Sequence, residues 1–111
     1  MTQYKNKRLC GMIGFAMRAG KVIIGTEMVV RAMQNKKSAP RLVLVSCEAS
    51  DGTKKKISTK CEFYGIKTVQ INMSTDDIGS LLGKTYSPAA IGIADEGFAK
   101  EIEKAIVGEE I

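Results

Sequence analysis

Apolar residues recur along the chain at alternating periods, helical spacing of three and four giving way to short continuous or alternate runs. Across residues 4–19, Leu9, Met12, Ile13, Ala16 and Met17 keep helical spacing, and Gly20 supplies a C-terminal stop. Gly11 and Gly14 each weaken that helix by roughly 1 kcal/mol relative to Ala, which predicts close packing against a neighbour. Residues 21–24 read as a short strand that leads into a second helix ending near Gln34, with Thr26 or Gly25 as its N-cap. Met28, Val29, Ala32 and Met33 form the predicted buried stripe of this helix, leaving Glu27, Arg31 and Gln34 outward.

After a polar turn containing Lys36 and Lys37, residues 41–47 form a nearly unbroken apolar run rich in β-branched side chains, the pattern of a central strand buried on both faces. Residues 48–53 offer several capping side chains before a third helix, with Ile57, Cys61 and Tyr64 inward and Lys54, Lys55, Lys56 and Lys60 on the solvated face. Gly65 ends it, residues 66–71 alternate as a strand, and Asp76 and Asp77 mark the first turn of a short helix running to about Leu82. A loop over 83–88 precedes a small-residue strand at 89–94, and a last helix over 96–106 buries Phe98, Ile102, Ala105 and Ile106, leaving 107–111 as a frayed tail. Helices alternating with strands predict an α/β fold: a three-layer α/β/α sandwich with a four-stranded mixed sheet, in one domain spanning residues 1–111.

Composition narrows the chemistry. A 111-residue chain with 44% hydrophobic residues is enough for one core. No apolar run approaches the roughly 20 residues that span a bilayer, and the first residues lack the apolar core of a signal peptide, so a cytoplasmic protein without a membrane partner is expected. Cys10, Cys47 and Cys61 are odd in number and lie in apolar patterns, as reduced core thiols do. Histidine is absent, which removes the usual general base and the commonest metal ligand; no metal, cofactor or catalytic residue is predicted. The net charge of +5 is unevenly spread: residues 1–70 carry 14 Lys and Arg against four Asp and Glu, residues 71–111 three against eight. A bipolar molecule with a basic region that attracts polyanions is expected.

The start of the second helix is the candidate anion site. First-turn N–H groups have no internal acceptor and carry the positive end of the helix dipole, and here they follow a strand that delivers them to the surface. No Gly-x-Gly-x-x-Gly or P-loop pattern, and no defensible carboxylate pair, points to an enzyme.

Three motifs sharpen this picture. Gly14-Phe15-Ala16-Met17-Arg18-Ala19-Gly20-Lys21, then Gly25-Thr26 opening a helix with Arg31-Ala32, then Leu82-Gly83-Lys84 before the last strand, resemble the ribosomal-protein L7Ae/L30e family, specifically its small bacterial members. The likeness covers essentially the whole chain. It implies a monomeric, non-enzymatic protein that binds kink-turn RNA, a sharply bent duplex with sheared G·A pairs. The second helix's N-terminus would enter the groove at those pairs and the loop before the last strand would cover an extruded nucleotide, reading irregular RNA through base edges and shape. Structured RNA, ribosomal RNA in particular, is the implied partner, with ribosomal or translation-factor proteins beside it.

Carried onto this chain, the resemblance places the first part of the RNA site at Lys21, Gly25, Thr26, Glu27, Met28 and Arg31. The second part falls on Gly83, Lys84, Thr85 and Tyr86. Where archaeal and eukaryotic members run Gly-Thr-Asn-Glu, two residues, then Lys, this chain keeps Gly25 and Thr26, substitutes Glu27 and Met28, and has Arg31 in place of Lys. An ionised Glu only accepts hydrogen bonds and Met offers none to a base, whereas Arg can pair bidentately with guanine or phosphate. Glu27 also precedes Arg31 by four residues, the favourable order for an intrahelical ion pair, so it has either that role or an RNA contact. Tyr86 would either stack on a base or shield the sheet edge. The departures favour, as a second reading, a ribosome-assembly or translation-associated interaction module that has lost specific kink-turn recognition.

Overall fold

Leu42, Val43, Leu44, Val45 and Ser46 are all buried, as a strand covered on both faces must be, and the other elements are arranged around them. The computed structural model describes residues 7–109. In chain order the elements are α1 (Lys7–Arg18), β1 (Val22–Ile24), α2 (Thr26–Met33), β2 (Leu42–Ser46), α3 (Asp51–Tyr64), β3 (Lys67–Ile71), α4 (Thr75–Leu81), β4 (Ala90–Ile93) and α5 (Glu96–Glu109). The sheet order is β1-β4-β2-β3, with β2 parallel to β3 and β4 antiparallel to both of its neighbours. This is the expected α/β/α sandwich with a mixed sheet.

The two sheet faces bury different layers. Leu42, Leu44, Ile71, Ile91 and Ile93 meet Leu9 and Ile13 of α1, Ile78 of α4 and Ile102 of α5. On the opposite face Val43, Val45 and Ala90 meet Val29, Val30 and Met33 of α2 and Ile57 and Cys61 of α3. Ser46 is the one buried polar residue among those described, and it is satisfied: its hydroxyl donates to the Met73 carbonyl at 2.6 Å and accepts from the Glu48 N–H at 3.0 Å. That pair ties the end of β2 to the chain leaving β3.

Several expectations change. Met28 is 52% exposed, because the inward stripe of α2 is Val29, Val30 and Met33. A stripe centred between positions 29 and 30 puts position 28 about 150° away at 100° per residue. Tyr64 is also exposed: in the last turn of α3 it lines a cleft with Met33, Pro40 and Arg41 instead of entering the core. In α5 it is Ala99, Ile102 and Ala105 that are buried, with Phe98 and Ile106 half-buried at the margin. That helix continues through Glu109, three residues into the segment expected as a tail; residues 110–111 lie outside the described residues, as do 4–6 of the first predicted helix. Cys61 is buried as expected of a core thiol, whereas Cys10 and Cys47 are half-buried.

The tight glycines are not those predicted. A Cβ on Gly11 would meet nothing within 4 Å, and one on Gly14 only the Arg18 guanidinium at 3.8 Å. Close approach occurs instead at Gly92, where a Cβ would sit 2.9 Å from the Pro40 ring, and at Gly79 in α4, where it would run into the Tyr86 carbonyl oxygen and sit 3.4 Å from Pro88. Gly79 is what allows the segment before β4 to lie against α4.

Two outcomes follow for stability. Gly79→Ala forces backbone apart and should cost about 1–3 kcal/mol in denaturant unfolding, whereas Gly11→Ala gains up to about 1 kcal/mol from helix propensity; a Gly79→Ala protein as stable as the parent would contradict the packing. Burial pushes the Cys61 thiol pKa up, with a smaller opposing effect from a hydrogen bond with Thr68. Since the thiolate is the reactive form, alkylation of the native protein followed by mass spectrometry should find Cys61 the last of the three cysteines to react.

Candidate nucleic-acid interface

Where β1 ends, the chain turns sharply outward into α2. The Gly25 N–H donates to the Ala90 carbonyl at 2.9 Å, continuing the β1–β4 ladder by one bond. Gly25 then adopts φ 100°, ψ 146°, a backbone region that is essentially glycine's alone. The first intrahelical bond runs from the Val29 N–H to the Gly25 carbonyl at 2.9 Å, so the N–H groups of Thr26, Glu27 and Met28 precede it, and no side chain caps them. Gly25 is therefore the N-cap, and Thr26 is the first helical residue. An uncapped first turn facing outward attracts anions.

The segment before β4 is fixed by the end of α4. Gly83, at φ 72°, donates its N–H to the Ser80 carbonyl at 3.1 Å, and Lys84 donates to the Gly79 carbonyl at 2.8 Å. Those two bonds are a Schellman closure, which needs the left-handed conformation at position 83. Beyond it the Tyr86 carbonyl rests over Gly79, the Ser87 hydroxyl donates to Asp76, and Pro88 is buried. Anchored this way, the loop turns Thr85 and Tyr86 to solvent, and Tyr86 is 55% exposed.

Because this loop feeds Ala90, whose carbonyl accepts from Gly25, it lies beside the start of α2. Gly25, Thr26, Glu27 and Met28 thus share one end of the sheet with the 83–86 loop, and exposed Arg31 lies on α2 below them. Lys21 is not brought there. Its carbonyl accepts from the Ala94 N–H at the opposite end of β4, about 13 Å along the strand from Gly25 at 3.3 Å per residue. Lys36 and Lys37 are exposed in the turn after α2, and Lys36 lines the cleft that also holds Arg41 and Tyr64, again away from the α2 start.

Electrostatics at the α2 start differ from the local expectation. Glu27 does not pair with Arg31; its carboxylate accepts from the Lys56 ammonium of α3 at 2.7 Å. The Lys56 hydrogen bond and charge hold the Glu27 pKa below its ordinary value, with a smaller contribution from the Arg31 charge. Arg31 carries no ion pair among the described residues. Sequence periodicity had placed Lys56 on a solvated face; a partner 29 residues away leaves no local signal.

Among the described residues no group of three or more Cys, Asp or Glu is arranged to hold a metal, and no helix is long and apolar enough to cross a membrane. The α2 start and the 83–86 loop present backbone N–H groups, the exposed Arg31, the half-buried Lys84 and the exposed ring of Tyr86.

Known proteins resemble this chain in sequence and in fold. The chain is 34% identical over 108 residues to the RNA-binding protein YlxQ of Enterococcus faecium, covering 97% of this chain and all of that one. It is 32% identical to the large ribosomal subunit protein eL30 of Sulfolobus acidocaldarius, over 84% of this chain and 88% of that one. A solved structure of a Bacillus halodurans protein of unknown function superimposes with a TM-score of 0.81 at 33% identity, covering 93% of this chain and 99% of that one. The model of the ribosomal protein L7Ae/L30e/S12e/Gadd45 family matches residues 7–103, and the chain belongs to that family.

Proposed function

We propose that this chain is a cytoplasmic, non-catalytic RNA-binding protein that recognises kink-turn or kink-turn-like structured RNA, in association with the ribosome. The observation that carries this reading is the Gly25 N–H to Ala90 carbonyl bond, which sets an uncapped helix start and an anchored, solvent-facing loop side by side. Family membership and similarity to a protein named for RNA binding support the ligand class; similarity to a ribosomal subunit protein supports the ribosomal setting.

In this arrangement the N–H groups of Thr26, Glu27 and Met28 face the RNA backbone, and Arg31 presents a guanidinium that carries no ion pair among the described residues. Arg can bond two acceptors in one plane, on phosphate or on a guanine edge. Lys84 supplies a cation near the loop, and the exposed Tyr86 ring suits stacking on an unpaired base, which is worth about 1–3 kcal/mol in aromatic platforms. Met28, 52% exposed on the same surface, offers apolar contact but no hydrogen bond. Its exposure suits the second reading, a ribosome-assembly or translation-associated interaction module that has lost specific kink-turn recognition.

Titration with a kink-turn RNA and with the same RNA lacking its G·A pairs separates these readings. The kink-turn should bind more tightly, and Arg31→Ala should weaken it by about 1–3 kcal/mol while leaving thermal unfolding unchanged. Equal affinity for both RNAs, or full affinity in the Arg31→Ala variant, would contradict kink-turn recognition by this surface.

A further inference from the structure

The Glu27–Lys56 pair lies at the start of α2, on the side facing α3, and joins two helices. Glu27 is in the first turn of α2, Lys56 in the second turn of α3, and their charged atoms are 2.7 Å apart. A carboxylate four residues before an arginine on one helix has a ready alternative, the intrahelical pair with that arginine. The Glu27 side chain is 78% exposed, so rotation toward Arg31 meets little obstruction, and Arg31 already lies within electrostatic reach of it. Two cations compete for one carboxylate, and in this structure the one on α3 has it.

We propose that Lys56 is a positioning residue of the RNA interface: by holding Glu27 on the α3 side, it keeps that carboxylate off Arg31 and leaves the guanidinium free for RNA. The proposal rests on the RNA-binding reading of this surface. Lys56 also cancels a negative charge that would otherwise stand among the α2 N–H groups and oppose an approaching phosphate. Both effects act through Glu27, so the contribution of Lys56 to binding exists only while Glu27 is an acid. A direct Lys56–phosphate contact would behave oppositely: its loss would cost the same whatever stands at position 27.

The test is a cycle of Lys56→Ala, Glu27→Gln and the double variant, with Lys56→Arg as rescue, titrated with the kink-turn RNA across a salt series. Lys56→Ala should weaken binding about two- to fivefold, the range expected for a charge at a helix terminus. Lys56→Arg should restore it, and in the Glu27→Gln background the Lys56→Ala change should alter affinity less than twofold. The slope of log affinity against log salt should change little, where a lost phosphate contact lowers it by about 0.9. In the free protein, the Arg31 side-chain Nε–H NMR resonance should shift in Lys56→Ala and return in the double variant. Equal loss in both backgrounds with a reduced salt slope would overturn the proposal in favour of direct contact, and an Arg31 resonance indifferent to Lys56 would overturn it without any RNA. Absence of RNA binding by the unsubstituted protein would instead overturn the function, and the Arg31 resonance would still decide the role of Lys56.

Discussion

Strand β4 runs antiparallel between β1 and β2, and the placement of everything on the candidate interface depends on that reversal. β1, β2 and β3 all point the same way, so the chain leaves them at a common end and starts α2, α3 and α4 there. A parallel fourth strand would be entered from the far end, and its preceding loop would lie there too. Reversed, β4 is entered at the common end, and the 83–88 loop arrives beside Gly25. The Gly25–Ala90 bond is the point of contact, and Gly79 gives the loop room to lie flat against α4 on the way.

Shared strand direction also aligns helix dipoles. α2 and α3 pack side by side on one face and both begin at this end, so their positive termini are together and their negative termini lie near the 36–41 turn and Gly65. Lys54, Lys55 and Lys56 add charge near the positive end. The charge asymmetry of the sequence is partly cancelled in the fold, however. Acidic residues of α5 fold back onto basic residues from the first part of the chain, Glu101 onto Arg8 at 3.6 Å and Glu103 onto Lys67 at 2.6 Å. These exposed pairs add little stability, but they neutralise part of what composition alone counts as a basic region. The surface at the α2 start owes its character less to net charge than to uncapped N–H groups and an arginine with no ion pair among the described residues.

How much of this was legible in the chain depends on the range of the interaction. Element order, the doubly buried β2, and the glycine stops at Gly20 and Gly65 follow from local spacing and backbone preference, and each is found. Met28 departs because its angular position was read from spacing alone, while the true stripe is centred on Val29 and Val30. Gly14 and Gly79 look alike in a helical pattern; only the tertiary position of Tyr86 makes the second one tight. Lys21 sits beside the candidate site in sequence, yet a three-residue strand carries the chain across the sheet and separates them. Glu27 had a partner visible four residues away and takes another that sequence could not show, because α3 comes alongside α2 only in the folded sandwich.

In the proposed function, one end of the sheet, joined by the Gly25–Ala90 bond, acts as a single RNA-binding surface. Backbone amide chemical shifts recorded while the protein is titrated with a kink-turn RNA test it most directly. Thr26, Glu27 and Met28 should shift together with Gly83, Lys84, Thr85 and Tyr86 at one common affinity, while Lys21 and the 36–41 turn stay in place. Shifts centred on Lys36 and Arg41, or two groups moving at different RNA concentrations, would contradict it.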